Sequence, residues 1–208
     1  MPIAIILRNR YDVNRFRDLM IQVIRSRGGD NALLCSGFFQ ENFVNSDYQA
    51  SQELAFANVL AQAKIDLITV GIHSNTWLPS YRNFKQNLLA AGVNLDAKYK
   101  YGLKWHAKVF ILSRGSLPVL GIIGSSNITR NAFSLSKPFN YECDTILWLD
   151  GDQHIEGIVN EFLASADFDE YEVIRAPYQI ELNRNLSIAD RLNRLKSEIL
   201  ESGLRDLD

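Results

Sequence analysis

The chain predicts an α/β fold: a mixed, largely parallel sheet flanked by helices on both faces. Two observations carry this. Apolar runs of strand length alternate with segments of helical periodicity through the first half. The second half is richer in short, β-branched runs separated by turn residues. The length of 208 residues suits one domain with a short C-terminal appendage, and 47% hydrophobic residues against 22% charged ones suffice for a real core.

In chain order, Asp12 is placed to cap a helix whose apolar face is Val13, Phe16, Met20, Val23 and Ile24, ended by Gly28 and Gly29. Residues 32–39 (ALLCSGFF) read as a buried strand. Ser46 or Asp47 opens a helix towards Lys64, and residues 65–72 (IDLITVGI) form the next strand. Pro79 and Ser80 start a helix carrying Tyr81, Phe84, Leu88 and Leu89, closed by Gly92. Three strands follow at residues 105–112, 119–123 and 143–149, with a turn over 114–118. Residues 153–164 are helical, and the acidic run 167–172 reads as a linker or solvated edge. Ser187 with Asp190 resembles a capping box, and Ile188, Leu192, Leu195 and Ile199 make one stripe on the last helix.

Composition narrows the function. Residues 3–7 are too short, and too quickly followed by Arg8 and Arg10, for a secretory signal. No run reaches membrane-span length, so the expectation is a soluble, cytoplasmic protein with no membrane partner. Cys35 and Cys143 have no metal-ligand spacing. Net charge is −2, yet residues 97–141 hold no acid and seven cations: Lys98, Lys100, Lys104, Lys108, Arg114, Arg130 and Lys137. The remaining 15 basic residues share the chain with all 24 acids. That bias is what a phosphate-facing surface requires, unless folding scatters the seven over several faces.

Three elements in this region carry chemistry. His106 and Lys108 alternate in a predicted strand, which puts them on one face about 6–7 Å apart. Gly124-Ser125-Ser126-Asn127 follows a strand; glycine permits a tight turn, and Asn127 can cap a helix beginning at Ile128, where an anion is favoured. Glu142 is the first carboxylate after the acid-free stretch, and a carboxylate there can fix a histidine tautomer. Taken singly, these are also the patterns of two surface residues, an ordinary Ser/Asn turn and a strand-edge Glu.

In this order and spacing, the run from His106 to Asn127 resembles the phospholipase D superfamily, whose signature is His-x-Lys-x4-Asp followed by Gly-Ser-x-Asn. His106, Lys108, Gly124, Ser125 and Asn127 match, and Glu142 is similar to the family carboxylate that orients the histidine. The departure is Ser113, standing where the family has Asp. The resemblance implies a phospholipase D-like catalytic domain over residues 1–166, with residues 167–208 as an extension whose amphipathic helix packs on it. It implies His106 as nucleophile in a phosphohistidine mechanism. Lys108, Asn127, Ser125 and Ser126 would hold the phosphate, and no metal or cofactor is needed. Consistent with that, no carboxylates cluster around His106.

The scheme needs a second histidine. His73 and His154 are the other two, and neither stands in a His-x-Lys pair. A second copy supplying its own His106 across a two-fold axis is the simplest solution, hence a homodimer. His73, Trp105 and Ser113 are accessory candidates. The expected substrate is DNA or another nucleic acid, in a restriction or defence setting, with room for another protein subunit. A lipid phosphodiesterase and a catalytically weak nucleic-acid-binding subunit of a larger complex are the rival expectations.

Overall fold

The computed structural model describes residues 1–73, 75–102, 106–164 and 172–208, apart from the side chains of Ile72 and His73. Trp105 and most of the acidic run 167–172 therefore lie outside the described residues. The strands are β1 (Ile3–Arg8), β2 (Asn31–Ser36), β3 (Asp66–His73), β4 (Asn94–Tyr101), β5 (Lys108–Arg114), β6 (Leu117–Gly124), β7 (Glu142–Trp148), β8 (Val173–Ala176) and β9 (Arg205–Asp206). The α-helices are α1 (Arg15–Arg25), α2 (Phe56–Ala63), α3 (Leu78–Ala90), α4 (Arg130–Phe133), α5 (Gln153–Leu163) and α6 (Ile188–Leu200).

All nine strands join one sheet in the order β8-β1-β7-β6-β5-β2-β3-β4-β9. Only β2–β3 and β3–β4 pair parallel; every other neighbouring pair is antiparallel. The sheet is mixed but mostly antiparallel, which corrects the expectation of a largely parallel one. In the first half α2 and α3 return the chain so that β2, β3 and β4 run the same way and pair directly. In the second half a tight turn with Gly115 at φ 58° joins β5 to β6, and a hairpin can only be antiparallel.

Helices do lie on both faces. One face packs Ala4, Ile6, Leu34, Phe110, Leu112, Ile122, Ile146 and Trp148 against α1, α2, α3 and α5. The other packs Leu33, Cys35, Val70, Val109 and Ile111 against Ile188, Leu192 and Ile199 of α6. The alternation of neighbours such as Leu33 and Leu34 between the two clusters is the period-2 geometry of a strand buried on both sides.

Local signals explain most ends. Asn14, not Asp12, caps α1: its side chain accepts the Arg17 N–H at 3.0 Å and donates to the Ala132 carbonyl at 2.7 Å. The segment expected to be one helix to Lys64 is a short 3-10 turn followed by α2, broken at Glu53 and Leu54. There Glu53 is drawn out to the buried Arg17 guanidinium at 2.9 Å. α6 has the capping box read from Ser187 and Asp190. Its Leu192 packs so closely on β6 that a Cβ at Gly121 would come within 2.4 Å of it.

Leu192→Ala is expected to cost about 2–5 kcal/mol, because it empties the centre of the smaller core layer. Urea unfolding of wild type and variant, followed by both fluorescence and circular dichroism, checks this. Coincident transitions are expected if α6 and the sheet unfold as one unit.

Candidate functional site

The topology brings most of the sequence-predicted residues to one edge of the sheet. Ser36 ends β2, Lys108 starts β5, Gly124 ends β6, Glu142 starts β7 and Arg8 ends β1. Register aligns them: Cys35 is opposite Val109, Lys108 opposite Gly124, Gly124 opposite Asp144, and Glu142 opposite Arg8. Alternation puts Arg8, Ser36, Lys108, Glu142 and Asp144 on the same face as Phe110, Ile122 and Ile146, just beyond the end of the larger core layer.

Lys108, Gly124 and Asp144 form one row across three strands. A Cβ at position 124 would stand 2.0 Å from Asp144 Oδ1 and 2.6 Å from its Cα. Only glycine lets that carboxylate lie over the strand towards Lys108. Asp144 is buried, accepts the Ser126 hydroxyl at 2.6 Å and lies 3.3 Å from the Ser126 backbone N–H. Burial pushes its carboxyl up to about 6, helped by the negative Glu142 and opposed by the Ser126 donors. The Lys108 ammonium, half-buried, is held below its usual range by desolvation, partly offset by Glu142 and Asp144. Asp144 had no part in the sequence reading. Its signal was the alternation Glu142-Cys143-Asp144, which places both acids on one face.

The Gly-Ser-Ser-Asn segment splits in two. Ser125 is exposed; its hydroxyl donates to Glu142 Oε2 and accepts the Cys143 N–H at 3.0 Å. Ser126, expected among the phosphate-holding hydroxyls, is turned inward and committed to Asp144. Asn127 does not cap the helix expected to begin at Ile128; α4 begins later, after Thr129. Its Oδ1 instead faces the buried Ser36 hydroxyl at 3.3 Å, while the same hydroxyl accepts the Ile128 N–H at 3.1 Å. With its oxygen so engaged, the Asn127 Nδ2 has no hydrogen-bond acceptor among the described residues and the residue lines an open cleft, which suits an anionic oxygen.

His106 precedes β5 rather than lying within it, so the expected same-face pairing with Lys108 is replaced by a different link. Lys108 Nζ donates to the His106 carbonyl at 2.7 Å. The His106 ring is exposed, and among the described residues nothing is hydrogen-bonded to it. Glu142, expected to orient it, is buried and bound to Ser125.

The accessory candidates separate. The β3 backbone ends at His73, paired with Tyr101, at the same edge of the sheet. Ser113 lies at the opposite end of β5, about 16 Å from Lys108 by strand rise. It is fully buried at a bulge, and its carbonyl accepts the Asp30 N–H at 2.9 Å. Ser113 is therefore not brought together with Lys108 and Asn127. His154 is also at that far end, with Nε2 3.1 Å from the Ser26 carbonyl.

Lys104 lies outside the described residues, and the other six cations do not form one basic face. Arg114 is at the far end, paired with Asp152 at 2.9 Å, and Lys98 is neutralised by Asp96 and Asp206. Arg8, which the sequence reading did not select, is buried beside the site. It donates to the Asn131 and Ser134 carbonyls at 3.0 and 2.7 Å, pinning the loop after α4.

Because folding raises the Asp144 pKa above its ordinary 3.8, its contribution to stability is full below about pH 4 and is lost as pH rises through about 6. Asp144→Asn should gain stability relative to wild type over that window, by at most about 3 kcal/mol. Urea midpoints measured from pH 4 to 7 check it; a difference that stays flat with pH contradicts it. Gly124→Ala should cost about 1–3 kcal/mol by overpacking, read from the same transitions.

No protein-family model and no curated protein sequence matches the chain. Solved structures do. Nuc from Salmonella typhimurium, a phospholipase D family member, is 14% identical over 77% of this chain and 91% of its own, with a TM-score of 0.43. NucT from Helicobacter pylori is 17% identical over 77% of this chain and 94% of its own, with a TM-score of 0.41. Phosphatidylserine synthase from Haemophilus influenzae is 13% identical with a TM-score of 0.50, covering 98% of this chain. The chain spans about half of that synthase, 46% of its length. At such identities the likeness speaks for architecture, and in architecture the resemblance read from the two motifs holds: the chain has a phospholipase D-like fold.

Proposed function

We propose that the protein is a phospholipase D-type phosphodiesterase acting on nucleic acid, with His106 as nucleophile. The observation that carries this is the meeting of Lys108, Ser125, Asn127 and Glu142 at one sheet edge, beside an exposed imidazole. The Asn127 amide and the Lys108 ammonium supply donors for two non-bridging oxygens. An unprotonated ring nitrogen of His106 attacks phosphorus, forming an N–P bond while the P–O bond to the leaving group breaks. The departing oxygen takes a proton from a second, protonated histidine. That histidine then removes a proton from water, which attacks phosphorus and releases His106.

The second histidine is best supplied by His106 of another copy. His154 is excluded by its place at the far end of the sheet. His73 ends β3, separated from β5 by β2 alone, and is the intramolecular rival. A homodimer with one composite site satisfies the scheme.

The test is cleavage of single- and double-stranded DNA in EDTA by wild type, His106→Ala, Lys108→Ala and His73→Ala. Wild type is expected to cleave. Loss of His106 should lower the rate by about 10³-fold or more, and loss of Lys108 by about 10²-fold. His73→Ala should stay within a few fold, and sedimentation should show a dimer. Turnover of phosphatidyl vesicles with none of DNA would replace nucleic acid by lipid. Salt-dependent DNA binding without turnover of either would make the chain a binding subunit.

A further inference from the structure

A cleft of about 480 Å³ opens beside Asn127, between the segments that follow β2, β3 and β6. One wall is aromatic. The Phe38 and Trp77 rings meet at 4.6 Å and 43°, and Phe43 stacks on Trp77 at 4.0 Å and 23°. None of the three belongs to either core cluster, and each is only partly buried. An aromatic cluster outside the core, held in place by its own stacking, is a surface with its side-chain entropy already spent. The rest of the lining is mostly polar and includes Arg130 and the side-chain amides of Asn131 and Asn140. Neither of those amides makes a hydrogen bond among the described residues. Gln40, also in the lining, is fixed, accepting the Arg130 N–H at 2.9 Å.

We infer that this cleft is a nucleobase subsite, which takes a base adjacent to the phosphate held at Asn127. The inference rests on the phosphodiesterase reading for the position of that phosphate. A flat heteroaromatic ring matches the aromatic wall, and amides that both donate and accept match base edges. An acyl chain would leave Asn131, Asn140 and Arg130 facing hydrocarbon, which is costly. A base stacked inside a duplex cannot enter, so the subsite makes the protein a reader of single strands or unpaired ends.

The experiment is equilibrium binding, by anisotropy, of a labelled oligothymidylate, an abasic deoxyribose-phosphate oligomer of equal length, and a duplex. The His106→Ala protein is used so that cleavage does not interfere. Oligothymidylate should bind about tenfold more tightly than the abasic chain, and Trp77→Ala should abolish that difference. Should Trp77→Ala not fold, Asn140→Ala, at an exposed side chain, should reduce the preference roughly fivefold. Equal affinity for the abasic and base-bearing chains overturns the subsite. The cleavage assay on wild type reads the other proposal separately. Base-dependent binding without cleavage keeps the subsite and removes the nuclease; cleavage without base-dependence does the reverse.

Discussion

Beyond the core, one cross-strand row governs the site: Lys108, Gly124 and Asp144, adjacent in three strands. Along each strand the inward positions are apolar until this row, where a cation, a missing side chain and a buried acid replace them. The vacancy at Gly124 is occupied by the Asp144 carboxylate itself. Ser126 then turns inward to satisfy that carboxylate, and this sets the course of the loop that follows. Asn127, next in line, is braced by Ser36 from β2 and lines the neighbouring cleft. The placing of one amide at that cleft thus traces back to the burial of one acid.

Placing an acid there is costly, and the structure offsets the cost incompletely. Two donors from Ser126 and a half-buried ammonium are set against desolvation and the negative Glu142, and the carboxyl remains raised. Local stability has been exchanged for a fixed arrangement of charge. At the opposite edge of the sheet the polar groups serve the fold instead. Asp30 accepts the Gly115 N–H at 3.0 Å, and Arg114 reaches Asp152 and the Gly28 carbonyl at 2.9 and 3.0 Å. Ser113 belongs to that edge, where its carbonyl accepts the Asp30 N–H and helps to anchor β5.

Legibility followed the range of each interaction. The α6 capping box, the Gly92 stop and the strands at β2, β3, β5, β6 and β7 were readable because short-range pattern decides them. β1 escaped notice as a strand because its short apolar run passes at once into Arg8 and Arg10, and only pairing with β7 and β8 marks it as a strand. β4 looked polar because it lies near the sheet margin, with β9 covering its outer side by just two residues. Strand direction was misjudged by extending the helix–strand alternation of the first half to the second. The two motifs fall at one edge of the sheet, but the hydrogen-bond partners of their side chains could not be read from them. Whether a serine faces in or out depends on Asp144, eighteen positions away from Ser126. The aromatic cleft is assembled from three loops, and no local window of sequence contains it.

The opposed orientations of Ser125 and Ser126 mean that two neighbouring, chemically identical residues answer to different selective pressures. In a population of random variants scored both for how much protein accumulates and for what each molecule does, changes at Ser126 would deplete abundance. On the phosphodiesterase reading, changes at Ser125, an exposed residue, would deplete activity per molecule more than abundance.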